Sequence, residues 1–156
     1  MKILVESLGR INEDDCKNFI NETLTKYKVG KESNSLDKLL NRATLGYYNV
    51  NVDYSNTDLG VDMRSTILLR DAFANRGASA ATAGPHIFLS DKVFQRSSSI
   101  IPLPRWNRKA DTPTYIVHEL FHVAGIDKSI IDSQQMTDAI RRNCRLLGSD
   151  RIIIRH

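Results

Sequence analysis

His118-Glu119-Leu120-Phe121-His122 is the stretch of this chain whose residue types and spacing specify a chemistry. On a helix, residues one turn apart share a face, so the imidazoles of His118 and His122 can grip a single metal ion. Neutral imidazole is a good zinc ligand, and a rigid helical turn holds two such ligands without a long loop. Zinc lowers the pKa of bound water to about 7, which makes a nucleophile available at neutral pH. Glu119 stands beside that ion, placed to take a proton from the water and pass it to a leaving amine.

Two histidines leave a zinc site short of a ligand. The longer pattern HExxHxxGxxH asks for histidine at position 128, and Lys128 is there. Asp127, two residues past Gly125, is the first candidate, because a chain turning at that glycine can bring a carboxylate back to the metal. Asp132 is the alternative, although it also reads as the N-cap of a helix opening Ser133-Gln134-Gln135. Asp127 has a plainer reading too, as loop or capping chemistry after a helix-ending glycine.

The order Pro85-His86-Ile87-Phe88-Leu89-Ser90, then HELFHVAGID, then Ala139-Ile140-Arg141-Arg142-Asn143-Cys144 resembles the zincin metallopeptidases, in particular bacterial domains with an aspartate as third zinc ligand. The resemblance covers the C-terminal half. It implies a small α+β fold with the motif helix under a short mixed sheet, Zn2+ as cofactor, His118, His122 and Asp127 as metal ligands, and Glu119 as general base. It further implies a peptide or protein substrate, held against an edge strand for which the 86–90 run stands in the right place along the chain; an internal strand is the alternative. No tyrosine or histidine matches a transition-state stabiliser of the family. Two other functions compete with a peptidase: a metal-binding or interaction module without catalysis, and a basic nucleic-acid-binding domain.

The elements that must position the motif are partly legible. Thr112 and Pro113 mark the start of the motif helix, Gly125 its end, and Val117, Leu120, Phe121 and Ala124 form an apolar stripe toward a core. Upstream, Asn12-Glu13-Asp14-Asp15 opens a first helix carrying Cys16, Phe19, Ile20, Leu24 and Tyr27 as far as Gly30. Ser35 caps a second helix with Leu36, Leu39, Leu40 and Ala43 inward, closed by Gly46. The alternation from Tyr47 to Tyr54 predicts a strand, and Met63 to Phe73 reads equally as buried helix or strand. Gly77 to Gly84 reads as a small-residue loop, and His86, at the start of the next strand, as a surface or hydrogen-bonded histidine rather than a ligand. Residues 97–111, with Trp106, read as a loop of about fifteen residues, long enough to suggest function; packing under the loop is the plainer use of the tryptophan.

Composition bounds the rest. The 156 residues, 41% hydrophobic and 26% charged, fit one domain spanning 1–156. A net charge of +4, concentrated in Arg141, Arg142, Arg145, Arg151 and Arg155, suits a solvated helix face and argues weakly for nucleic acid. No run approaches the roughly 18 apolar residues that cross a bilayer, so the expectation is a soluble chain. Cys16 and Cys144 are the only cysteines. A bridge between them would point outside the reducing cytosol, and two buried thiols are the other reading.

Overall fold

The computed structural model describes residues 2–28, 34–90 and 111–145, which fold as α+β: among them are six α-helices and a three-stranded mixed sheet. The helices are α1 (Lys2–Ile11), α2 (Asp14–Lys26), α3 (Leu36–Arg42), α4 (Met63–Arg70), α5 (Thr112–Val123) and α6 (Ser133–Cys144), and the strands are β1 (Thr44–Tyr47), β2 (Ala80–Ala83) and β3 (His86–Leu89). Of the loop expected at 97–111, only Asp111 falls within the described residues, and Trp106 lies outside them.

Alternation along each strand divides the interior into two layers. Leu45, Ala80, Ile87 and Leu89 face the main core, made by α1, α2, α3, α5 and α6 around Phe121, Ile116, Leu120 and Ile140. Phe88, Ala81 and Ala83 face the other way, onto Tyr54, Val61 and Leu69 beneath α4. There Tyr48 stacks on Phe73 at 4.4 Å and Phe88 meets Tyr54 edge-on at 4.8 Å. The motif helix therefore lies against a sheet whose far side is also covered.

The strand order is β1-β3-β2, with β1 parallel and β2 antiparallel to β3. The 86–90 run is thus the central strand, and its hydrogen-bonding edges are already used; it is not the edge suggested by the zincin resemblance. That place beside α5 falls to β2, inside the stretch read as loop. Alanine has little intrinsic strand preference, but antiparallel pairing with β3 through a two-residue Gly84-Pro85 hairpin overrides it, and Gly84 takes the positive φ of 57° that the turn needs.

Other departures have local causes. A helix, α1, precedes the expected first one, and it buries Ile11 and half-buries Leu4 and Leu8 at helical spacing. Asn12 closes α1 by donating from its side chain to Leu8 O at 3.1 Å, so α2 begins at Asp14. The second helix ends at Arg42, and Gly46 sits inside β1 opposite Phe88 instead of capping it. After Tyr47 the expected strand gives way to turns: Asn49 Oδ1 accepts from Asn51 N at 2.9 Å and Asp53 Oδ1 from Ser55 N at 3.1 Å, and such side-chain bonds compete with a ladder. Residues 63–75 are helical, ending in a π turn, with Leu69 and Ala72 inward but Met63, Ile67 and Leu68 exposed.

The two ends of the described chain are fastened together. Cys16 and Cys144 form a disulfide, and both are fully buried. Beside it the Arg10 guanidinium, 6% exposed, binds both oxygens of Asp15 at 2.6 and 3.0 Å, the carbonyl of Asn143 at 2.6 Å and that of Arg145 at 3.0 Å. One side chain ties α1, α2 and the end of α6 together. Among the described residues no helix is long and apolar enough to cross a membrane.

Candidate metal centre

The motif helix is terminated by a pair of bonds that also orient His122. Gly125, at φ 92°, lets Ile126 N donate back to Phe121 O and Gly125 N to His122 O, both at 2.9 Å, the paired closure of a Schellman motif. Ile126 and Phe121 are buried together, the apolar contact that accompanies this turn. The same reversal swings the Ile126 carbonyl onto His122, 3.0 Å from Nδ1. A carbonyl only accepts, so Nδ1 carries a proton, and Nε2 is the nitrogen a metal would take. At the helix start, Pro113 sits in the first turn as expected. The N-cap position belongs to Asp111, however, and Thr112 is the first helical residue.

His118 is oriented from a different element. Its Nδ1 lies 3.1 Å from Thr137 Oγ1 on α6, so a helix packed beside the motif fixes the second ring. The ring centroids of His118 and His122 are 4.8 Å apart. Burial, aided by neighbouring His122, lowers the pKa of His118 from its ordinary 6.5 to about 4, which leaves its imidazole neutral at physiological pH. A neutral ring is the form that binds zinc.

Glu119, 8% exposed, points toward β2, where the Thr82 hydroxyl donates to its Oε2. Burial raises its pKa, and the Thr82 bond and His122 pull it partly back. The ligand atoms of His118, Glu119 and His122 all lie within 4.8 Å of one another. Two imidazoles and a carboxylate gathered on this scale fit a zinc ion by donor type, and the second partners of both rings are already in place.

The other residues singled out by sequence lie as follows. Asp127 is exposed, and its Oδ1 accepts from Ser129 N at 2.9 Å and from the Ser129 hydroxyl. These bonds hold its pKa below the usual carboxylate value, with smaller contributions from His122 and Lys128. Asp132 caps α6 through Oδ2, which accepts from Gln134 N and Gln135 N at 3.1 Å. Among the described residues neither joins the cluster of His118, Glu119 and His122. His86 is committed at both nitrogens, Nδ1 to Thr44 Oγ1 at 2.6 Å and Nε2 to Leu59 O at 2.9 Å. Part of the basic C-terminal run is paired: Arg141 and Arg145 face the buried Asp111 carboxylate at 3.2 and 3.5 Å. Thr82 and Thr137 escaped sequence reasoning. Thr82 lay in an apparent loop, and a threonine mid-helix announces nothing about a histidine nineteen residues earlier.

The chain matches no protein-family model, no curated protein and no solved structure.

The depressed His118 value has a measurable consequence. A histidine that binds protons less readily when folded stabilises the fold above its unfolded pKa, and that contribution drains away as pH falls from about 6.5 toward 4. Glu119 has the opposite sign, since a raised carboxyl pKa favours the folded state on acidification. Urea unfolding of metal-stripped protein across this range is expected to show a shallower acid loss in His118→Gln than in wild type. Identical pH slopes would contradict the assignment of a buried, neutral His118.

Proposed function

We propose that the chain is a zinc-dependent metallopeptidase of zincin type, with His118 and His122 holding the metal through Nε2 and Glu119 acting as general base. The observation that carries this reading is the setting of His122: its Nδ1 is taken by the Ile126 carbonyl, which leaves Nε2 as the nitrogen to bind a metal, and the ring belongs to the cluster with His118 and the Glu119 carboxylate. When bound, zinc supplies the Lewis acidity that activates water and a carbonyl at neutral pH. Glu119 accepts the proton of the attacking water and delivers it to the amine nitrogen as the peptide bond breaks. Its buried setting suits the task, because a carboxyl pKa moved upward is better matched to donating that proton again.

The substrate in this reading is an extended peptide lying along β2. Among the described residues β2 pairs only with β3, so its outer edge can take an added strand. Its short side chains, Ala80-Ala81-Thr82-Ala83, leave room for one directly beside Glu119. The disulfide is consistent with an oxidising compartment outside the cytosol.

Asp127 is the proposed third ligand, with Asp132 as the alternative. Asp127 follows directly on Ile126, whose carbonyl already touches His122, and Oδ2 is the oxygen not engaged by Ser129. Metal content and cleavage of a peptide library test the whole reading. Wild type is expected to carry one zinc per chain and to lose cleavage to a chelator, with recovery on adding zinc. Loss of one carboxylate ligand is expected to weaken zinc binding by at least about tenfold in Asp127→Ala, on the scale that ligand-shell changes produce. Unchanged affinity there would transfer the role to Asp132 or another residue, whereas absence of zinc from the wild type would end the metallopeptidase reading.

A further inference from the structure

Thr82 sits where the difference between a base and a ligand is decided. The motif places three donor groups within 4.8 Å of one another, and one of them, Glu119, must stay off the metal if it is to serve water. Zinc bonds of about 2.0–2.2 Å in a tetrahedron put ligand atoms roughly 3.3–3.6 Å apart, so a small rotation of Glu119 is all that separates the two roles. A restraint comes from across the interface with the sheet: the Thr82 hydroxyl, on the face of β2 turned toward α5, donates to Oε2 and lies 3.4 Å from the main-chain oxygen of the same residue. Pairing of Thr82 with Ile87 in the central strand fixes the backbone from which the hydroxyl projects. Every other residue of β2 is alanine, so this is the strand's only side chain able to make such a bond.

We propose that Thr82 is a positioning residue that holds the Glu119 carboxylate back from the metal, keeping it as a proton carrier instead of a third protein ligand. The inference rests on the metallopeptidase reading and adds to it a residue that the HExxH pattern does not contain. A buried carboxylate deprived of its donor is poorly satisfied, and the nearest cation that can compensate it is the ion held by His118 and His122. Removing the Thr82 hydroxyl should therefore tighten metal binding while impairing turnover, a combination that simple loosening of the site cannot produce.

The test is competition for Zn2+ between the full chain and a chromogenic chelator, run beside peptide cleavage. Thr82→Val, which keeps the shape and removes the hydroxyl, is expected to bind zinc about tenfold more tightly and to cleave at least about tenfold more slowly. Thr82→Ser should behave as wild type, and Glu119→Gln in the Thr82→Val background should abolish the gain in affinity. Thr82→Ala removes the methyl as well; it shares only the missing hydroxyl with Thr82→Val and should share its tighter binding. Zinc affinity that is unchanged or weaker in both hydroxyl-free variants overturns the proposal, as does a gain that survives Glu119→Gln. Failure of the wild type to take up zinc overturns the functional reading and this inference together, whereas normal uptake with an indifferent Thr82 overturns this one alone.

Discussion

Glu119→Gln is expected to keep its zinc and lose about 10²–10⁴ of kcat, the span that a positioned general acid-base group contributes. The substitution preserves size and still offers Thr82 an oxygen to bond, so the sheet and α5 should stay in register. What it removes is the group able to move a proton. It also removes a carboxylate that is 8% exposed and whose ionised form burial disfavours, so the variant should be at least as stable to heat as the wild type at neutral pH. Gain or retention of stability with loss of turnover is the pattern of a residue kept for chemistry at some cost to the fold. Metal content by elemental analysis, cleavage by chromatography and melting by circular dichroism report the three quantities separately. Wild-type turnover in Glu119→Gln would remove the general base from the mechanism, and loss of zinc would make Glu119 a ligand.

The second large effect concerns the bridge. Cys16 and Cys144 are separated by 128 residues, and closing a loop of that size is worth about 4–5 kcal/mol in the chain-entropy account. For a domain stable by about 5–15 kcal/mol that is a large share. The Cys16→Ala, Cys144→Ala double variant is accordingly expected to melt about 10–20 °C below the oxidised wild type. Because both sulfurs are fully buried, a mild reductant should act on the native protein only as fast as the bridge is exposed by opening. A double variant melting within a few degrees of wild type would show that the Arg10 contacts hold the ends together unaided.

Sequence and structure agree best where short-range chemistry decides. The ends of α5 were announced by Pro113 and Gly125, because the missing N–H of one and the positive φ of the other are local properties. Ser35 and Asp132 marked α3 and α6 for the same reason, each accepting a backbone N–H. The strands were harder. Whether Ala80–Ala83 pairs depends on β3 being free on that side, and whether 86–89 is central or at an edge depends on β1 arriving from some forty residues earlier; neither partner is visible in the segment itself. At the site, the helical spacing of His118 and His122 was legible. Their partners were not: Ile126 O reaches His122 only through the geometry of the Gly125 turn, and Thr137 and Thr82 only through packing of α6 and β2 on α5.

The Arg10 cluster constrains the order in which the molecule can be made. The guanidinium near the start of the chain finds Glu13 and Asp15 close by, but its bonds to the carbonyls of Asn143 and Arg145 wait for the end of α6, and the sulfur of Cys16 has no partner until Cys144 exists. A nascent chain emerging at about 5–20 residues per second therefore holds α1 and α2 for several seconds without the surfaces that cover them. Phe121 and Leu120, on the buried face of the motif helix, share that core. Contacts of such high sequence separation make for slow folding. Thr137, the partner of His118, stands on α6 as well, so the surroundings of that ring are complete only once this helix has docked.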